Sequence, residues 1–161
     1  EVRTLASDHF KNPKKKKITL SKVLSLNGQT SKGKTLFANK CASCHKSSQG
    51  GNDIGPDLSL IGNKFDKKAM LDAIVNPNAS IVFGYEPVKI KIKTGQVFYG
   101  FLLSEGETTV LKDALGNKIV IAPDDIVHKE QMKKGLMPDP AILGLNEQDL
   151  SDLSSYLLTL K

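Results

Sequence analysis

The sequence predicts a mainly α domain interrupted by a small antiparallel β-sheet, α+β overall. Apolar residues recur at intervals of three and four in segments near both ends of the chain, the spacing of a helix face. Between Pro87 and Val127 the pattern changes to alternation punctuated by Gly and Pro, the spacing of half-buried strands. The composition fits both: 161 residues with 39% hydrophobic and 25% charged side chains suffice for one packed core with an elaboration, and they exclude a wholly disordered, collagen-like or low-complexity chain. No stretch approaches the roughly 18 consecutive apolar residues of a membrane-spanning helix, so the chain is expected to be soluble or tethered elsewhere. It opens on Glu1 without a basic and apolar leader, from which a removed export signal or a piece of a longer polypeptide is expected.

Residues 1–29 read as an N-terminal linker or extension, and 30–161 as the domain. The extension carries the basic run Lys14 to Lys17, followed by Ile18 to Leu24, a short helix expected to pack on the domain. The basic run has no interleaved aromatic residues, so it reads as a solvated stretch or a surface for an acidic protein rather than a nucleic-acid arm.

The first domain helix is expected over Thr30 to Lys40, with Thr30 or Ser31 as cap and Gly33, Leu36 and Phe37 along one face. A second runs from Asp66 to Val75 on Ala69, Met70, Leu71, Ile74 and Val75, and ends at Asn76-Pro77 because proline disfavours a helical residue before it. A third starts at Asn146, with Asp149 placed to complete a capping box and Leu150, Leu153, Leu157 and Leu160 on its face; Tyr156 adjoins that stripe.

The insert, at about 86–127, reads as a four-stranded meander. Val88, Ile90 and Ile92 alternate with Lys89, Lys91 and Lys93, Thr94-Gly95 turns into Val97 to Leu103, Ser104 to Glu107 turns into Thr108 to Lys112, and Leu115-Gly116-Asn117 turns into Lys118 to Ala122. The aliphatic residues of the first strand should face a core and its lysines the water.

The two cysteines both fall in Cys41-Ala42-Ser43-Cys44-His45, the Cys-x-x-Cys-His pattern of covalent haem attachment. Two thiols at this spacing add across the two haem vinyl groups, and the adjacent imidazole is delivered to one axial face of the iron. A zinc site would need further ligands, and the chain offers only His9 and His128, neither at a ligand-like spacing from another. A thioredoxin-like dithiol would follow a strand in a βαβ context, whereas Cys41 follows a helix. One covalent haem c is therefore expected.

Through Gly33, Leu36 and Phe37, the Cys41 to His45 motif, Gly55-Pro56-Asp57-Leu58, Met137-Pro138 and the last helix, the chain resembles the cytochrome c family. The resemblance implies that the terminal helices cross at Gly33 with Phe37 and Tyr156 in contact, and that the Pro56 carbonyl accepts a hydrogen bond from the second nitrogen of His45. It assigns haem contacts to Cys41, Cys44, His45, Gly55, Pro56, Leu58, Met137 and Pro138, with His45 and Met137 as iron ligands. The other candidates for the sixth position are Met132, ranked second, Met70, read as core, and His9 and His128, read as surface residues.

The haem motif together with a Tyr85-led insert containing Thr94-Gly95-Gln96-Val97-Phe98-Tyr99-Gly100 and a late Leu136-Met137-Pro138 resembles a bacterial haem-binding domain often fused to dehydrogenase modules. That resemblance implies single-electron transfer rather than enzyme catalysis, with a dehydrogenase and an electron acceptor as partners, in the periplasm or another exported compartment. It also implies a place within a larger exported or membrane-associated protein. Two alternatives stand beside it: a haem sensor or small peroxidase-like protein with a labile sixth ligand, and an interaction module in which haem is a structural staple.

Overall fold

In the computed structural model, which describes residues 18–161, the helices gather around one core and the strands around another. Among the described residues the helices are α1 (Leu20–Ser25), α2 (Thr30–Lys40), α3 (Ile61–Lys64), α4 (Lys67–Val75) and α5 (Glu147–Leu157). The strands are β1 (Pro87–Ile92), β2 (Val97–Ser104), β3 (Thr109–Lys112), β4 (Lys118–Ile121) and β5 (Ile126–Gln131). His9 and the run Lys14 to Lys17 lie outside the described residues.

The helical core forms where α2 crosses α5. A Cβ on Gly33 would lie 2.0 Å from the Asp152 carbonyl oxygen, so only glycine allows the two backbones this close. One turn further on, the Phe37 and Tyr156 rings meet with centroids 5.5 Å apart and planes tilted by 51°. Leu71, Leu150, Leu153 and Leu157 belong to the same buried apolar cluster. Residues 20–25, within the extension, form α1 and bury Val23 completely in the same cluster.

Local capping sets two of the helix starts. Asp66 accepts a hydrogen bond from the Ala69 N–H at the head of α4, and Asn146 with Asp149 forms the full capping box of α5. The start of α2 corrects the expectation of a Thr30 or Ser31 cap: the cap position is Gln29, with no side-chain cap bond. Instead its N–H donates to the buried Asp152 carboxylate at 2.7 Å, and the same carboxylate oxygen accepts from Gln148 Nε2 at 2.9 Å. A partner from the far end of the chain thus takes the place of a local cap.

The sheet is antiparallel, in the order β4-β3-β2-β1-β5. It is five-stranded rather than four-stranded and extends past residue 127 to Gln131, because β5 returns to pair with β1 from Val88↔Gln131 to Ile92↔Ile126. Val88, Ile90, Leu111 and Ile121 are buried on one face, while Lys91 and Lys93 are exposed. Lys89 forms an ion pair with Glu130 at 3.1 Å across β1 and β5, and Lys129 pairs with Glu105. With these strands beside the helices, the described chain is mixed α and β.

Candidate haem site

Helix α2 delivers the motif. Cys41 closes the helix with its N–H on the Phe37 carbonyl at 2.9 Å, and the chain turns at once, with Cys44 and His45 N–H groups both donating to the Cys41 carbonyl at 3.0 and 2.9 Å. One tight turn therefore carries both thiols and the imidazole. The thiols are unbridged and half-buried.

The following loop doubles back on this turn. Ile54 and Gly55 N–H groups both donate to the Cys44 carbonyl, at 3.0 and 2.7 Å, and the Leu58 N–H donates to the Lys46 carbonyl at 2.8 Å. This brings the Pro56 carbonyl oxygen to 2.8 Å from His45 Nδ1. Gly55 lies flat against the ring, where a Cβ would sit 2.8 Å from Cε1. With Nδ1–H donating to Pro56, the lone pair that remains for a metal is on Nε2.

Burial lowers the pKa of His45 below its ordinary 6.5, against a smaller upward pull from the Pro56 hydrogen bond, so the ring is neutral and able to ligate at neutral pH. Burial, and secondarily the neighbouring Cys44, pushes the Cys41 thiol up to about 11. A raised pKa disfavours the Cys41 thiolate that thioredoxin-like exchange would use.

The remaining candidates are separated. Met137 and Pro138 stand on the loop 132–138 between β5 and α5, with Met137 36% exposed. That loop is tied at two points: the Met132 N–H donates to the Pro87 carbonyl at 2.8 Å, and the Gly135 N–H donates to Asn78 Oδ1 at 2.8 Å. Met70 lies in the helical core, and His128 is an exposed residue of β5, 3.7 Å from Glu130. Among the described residues no group of three or more His, Cys, Asp or Glu side chains could hold a metal ion.

The structure thus brings Cys41, Cys44, His45, Gly55, Pro56 and Leu58 onto one turn and the loop bonded to it. Two thiols for thioether formation, an imidazole with one free nitrogen, and a glycine cradle for the ring suit a covalent haem. The family model described as Cytochrome c matches residues 30–113, just over half of the chain.

The chain belongs to the cytochrome c family.

No curated protein matches it. Cytochromes c bind haem c covalently and act as electron-transfer modules, which implies a redox partner. The match takes in the cysteine pair, His45, Pro56 and the first three strands of this cytochrome c, and it stops short of Met137 and α5. No helix among the described residues is long and apolar enough to cross a membrane.

Sequence reasoning assigned no role to Lys112 and no packing partner to Tyr85. Lys112 Nζ, at the end of β3, donates to the Asp53 carbonyl at 2.6 Å, and the Tyr85 ring packs edge-on against Phe101 at 5.5 Å. Tyr85 stands within the motif that carries the family resemblance. Lys112 leaves no signal in the sequence, because its partner is a main-chain oxygen 59 residues away.

Proposed function

We propose that this cytochrome c is a monohaem single-electron carrier, with Cys41 and Cys44 as the thioether residues, His45 Nε2 as proximal ligand and Met137 as distal ligand. The observation that carries the reading is the 2.8 Å contact from His45 Nδ1 to the Pro56 carbonyl, which leaves Nε2 free at the end of the Cys-x-x-Cys turn. When bound, the haem supplies an iron that alternates between ferrous and ferric states.

The chain's own contribution is to hold and tune. Cys41 and Cys44 fix the group to the end of α2, so its position follows the α2–α5 crossing. Pro56 fixes the tautomer of His45 and increases its donor strength, and the Gly55 cradle keeps the ring from rotating. A thioether from Met137 would favour the ferrous state and raise the potential, which suits acceptance of electrons from a periplasmic dehydrogenase and delivery to a second protein. The formal charge of +6 favours acidic partners in both exchanges.

Denatured protein isolated from an exporting host should weigh one haem more than the polypeptide; the bare polypeptide mass would overturn the reading. In the ferric protein a near-infrared sulfur band is expected, and Met137→Ala should abolish it and open the ferrous protein to carbon monoxide. A band that survives the substitution moves the assignment to Met132. Transfer rates to an acidic partner should fall as the Debye length shrinks from about 10 Å at 0.1 M salt to about 3 Å at 1 M. Rates flat across that range would remove the electrostatic part of the proposal.

A further inference from the structure

The sheet touches the His45 loop at a defined place. The loop residue Asp53 presents its carbonyl to Lys112 Nζ at 2.6 Å, and the next residue, Ile54, is buried with its side chain against Gly116 in the β3–β4 turn, 3.5 Å from where a Cβ would be. Ile54 and Gly55 are the two residues whose N–H groups grip the Cys44 carbonyl, and Pro56 is the residue bonded to His45. Lys112 pairs with Phe101 in the β2–β3 register, and Phe101 in turn packs on Tyr85. Burial first, and then the carboxylates of Asp53 and Asp57, push the Tyr85 phenol up. The loop is therefore clamped between the haem-motif turn and the β3–β4 end of the β insert.

We infer that the β insert is a buttress for the proximal histidine, and that Lys112 is the positioning residue that transmits it, through Asp53 and Pro56, to His45. The inference rests on the reading of His45 as an iron ligand. Pulling Lys112 away frees the Asp53 end of the loop, and the Pro56 carbonyl then holds Nδ1–H less firmly. A less firmly held imidazole is a poorer donor, ferric iron loses stabilisation, and the potential rises. Loss of a nearby positive charge alone acts in the opposite direction, since it favours the more positive ferric state. The sign of the shift therefore separates buttressing from simple electrostatics.

The test is a redox titration of the haem-loaded protein carrying Lys112→Ala, Lys112→Gln, Lys112→Arg or Lys118→Ala, with haem content read by mass. Lys118 pairs with Lys112 on the neighbouring strand and is exposed, so it serves as the charge control. Lys112→Ala should shift the ferrous-to-ferric ratio at fixed potential upward by about threefold to tenfold, less than the direct loss of a ligand's hydrogen-bond partner; tenfold is about 59 mV for one electron. Lys112→Gln should shift it in the same direction by less, Lys112→Arg should restore the wild-type value, and Lys118→Ala should not raise the potential.

An unchanged or lowered potential in both Lys112→Ala and Lys112→Gln overturns the inference and leaves the haem assignment intact, as does an upward shift of equal size in Lys118→Ala. Should Lys112→Ala not fold, the Lys112→Gln and Lys112→Arg pair decides alone. If no variant, nor the wild type, carries the mass of a haem, the reading of the site fails and takes this inference with it.

Discussion

The helical half and the sheet bury their cores by different means. The helical half joins distant parts of the chain through polar atoms: the Gln29 N–H to Asp152, Ser151 Oγ to the Leu26 carbonyl, and Lys67 Nζ to the same carbonyl. Ser151, Asp152 and Ser154 are all buried there, every one hydrogen-bonded. In the sheet, Val88, Ile90, Leu111 and Ile121 form the buried cluster, and three of the four strand pairings join neighbours in sequence. Local pairings cost little loop-closure entropy, whereas the α2–α5 crossing must bring together segments more than a hundred residues apart. The difference implies that the sheet can persist when the helical half is strained, and that strain in the sheet would reach the proposed haem site through the Asp53–Ile54 contact and through the Met132–Pro87 bond that ties the Met137 loop to β1.

Gly33→Val is the strongest test. Its Cβ has no room beside the Asp152 carbonyl, so α2 and α5 must part, at a cost of about 3 kcal/mol or more. Hydrogen exchange should show lost protection throughout α2 and α5 while β1 to β3 amides stay protected. Simultaneous loss in both would show one cooperative unit and end the comparison.

A matched pair sharpens it. Leu150 in α5 and Leu111 in β3 are both fully buried, and truncation of either to Ala should cost about 2–5 kcal/mol of its own region's stability. Leu150→Ala should lower the thermal midpoint read from the haem absorption. Leu111→Ala should instead expose sheet amides while that midpoint moves less. Equal shifts from both would mean that the sheet core and the haem core unfold together.

These regions also differ in how much of them could be read in advance. The bounds of α2, α4 and α5 and the caps at Asp66 and Asn146 rest on apolar spacing and on side chains within three residues of what they cap, so short-range rules find them. The first four strands likewise lie close to their alternating runs and Gly-marked turns. Strand β5 carries Ile126 as its one half-buried residue, followed by exposed Val-His-Lys-Glu-Gln at a sheet edge, so no period of two betrays it. The Gln29–Asp152 bond at the start of α2 escapes short-range rules because its acceptor lies 123 residues away. At the site, the cysteine spacing announces the haem chemistry by itself, whereas the Pro56–His45 contact was legible only through family resemblance. Lys112 to Asp53 had no signature at all, since a carbonyl acceptor is the same in every residue type.

The smallest effect expected lies where the sheet turns beside Ile54. Asp113 accepts hydrogen bonds from the Leu115 and Asn117 N–H groups at 2.9 and 2.8 Å and from Asn117 Nδ2 at 3.0 Å, which folds the β3–β4 connection into a tight turn. The Asn117 side-chain bond first, then the main-chain bonds, hold the carboxyl below its ordinary 3.8. Since the folded pKa is the lower one, the stabilisation is fully present above 3.8 and is lost as pH falls through the folded value. At neutral pH Asp113→Ala should therefore speed exchange of the β3–β4 amides and slightly raise the haem potential through Gly116 and Ile54, by less than Lys112→Ala does. Below the folded pKa the wild-type carboxyl is neutral, like the alanine side chain, and variant and wild type should converge in sheet stability. A gap in thermal midpoint that stays the same from neutral pH down to about pH 2 would show that Asp113 acts through its shape alone and that its charge contributes nothing to the turn.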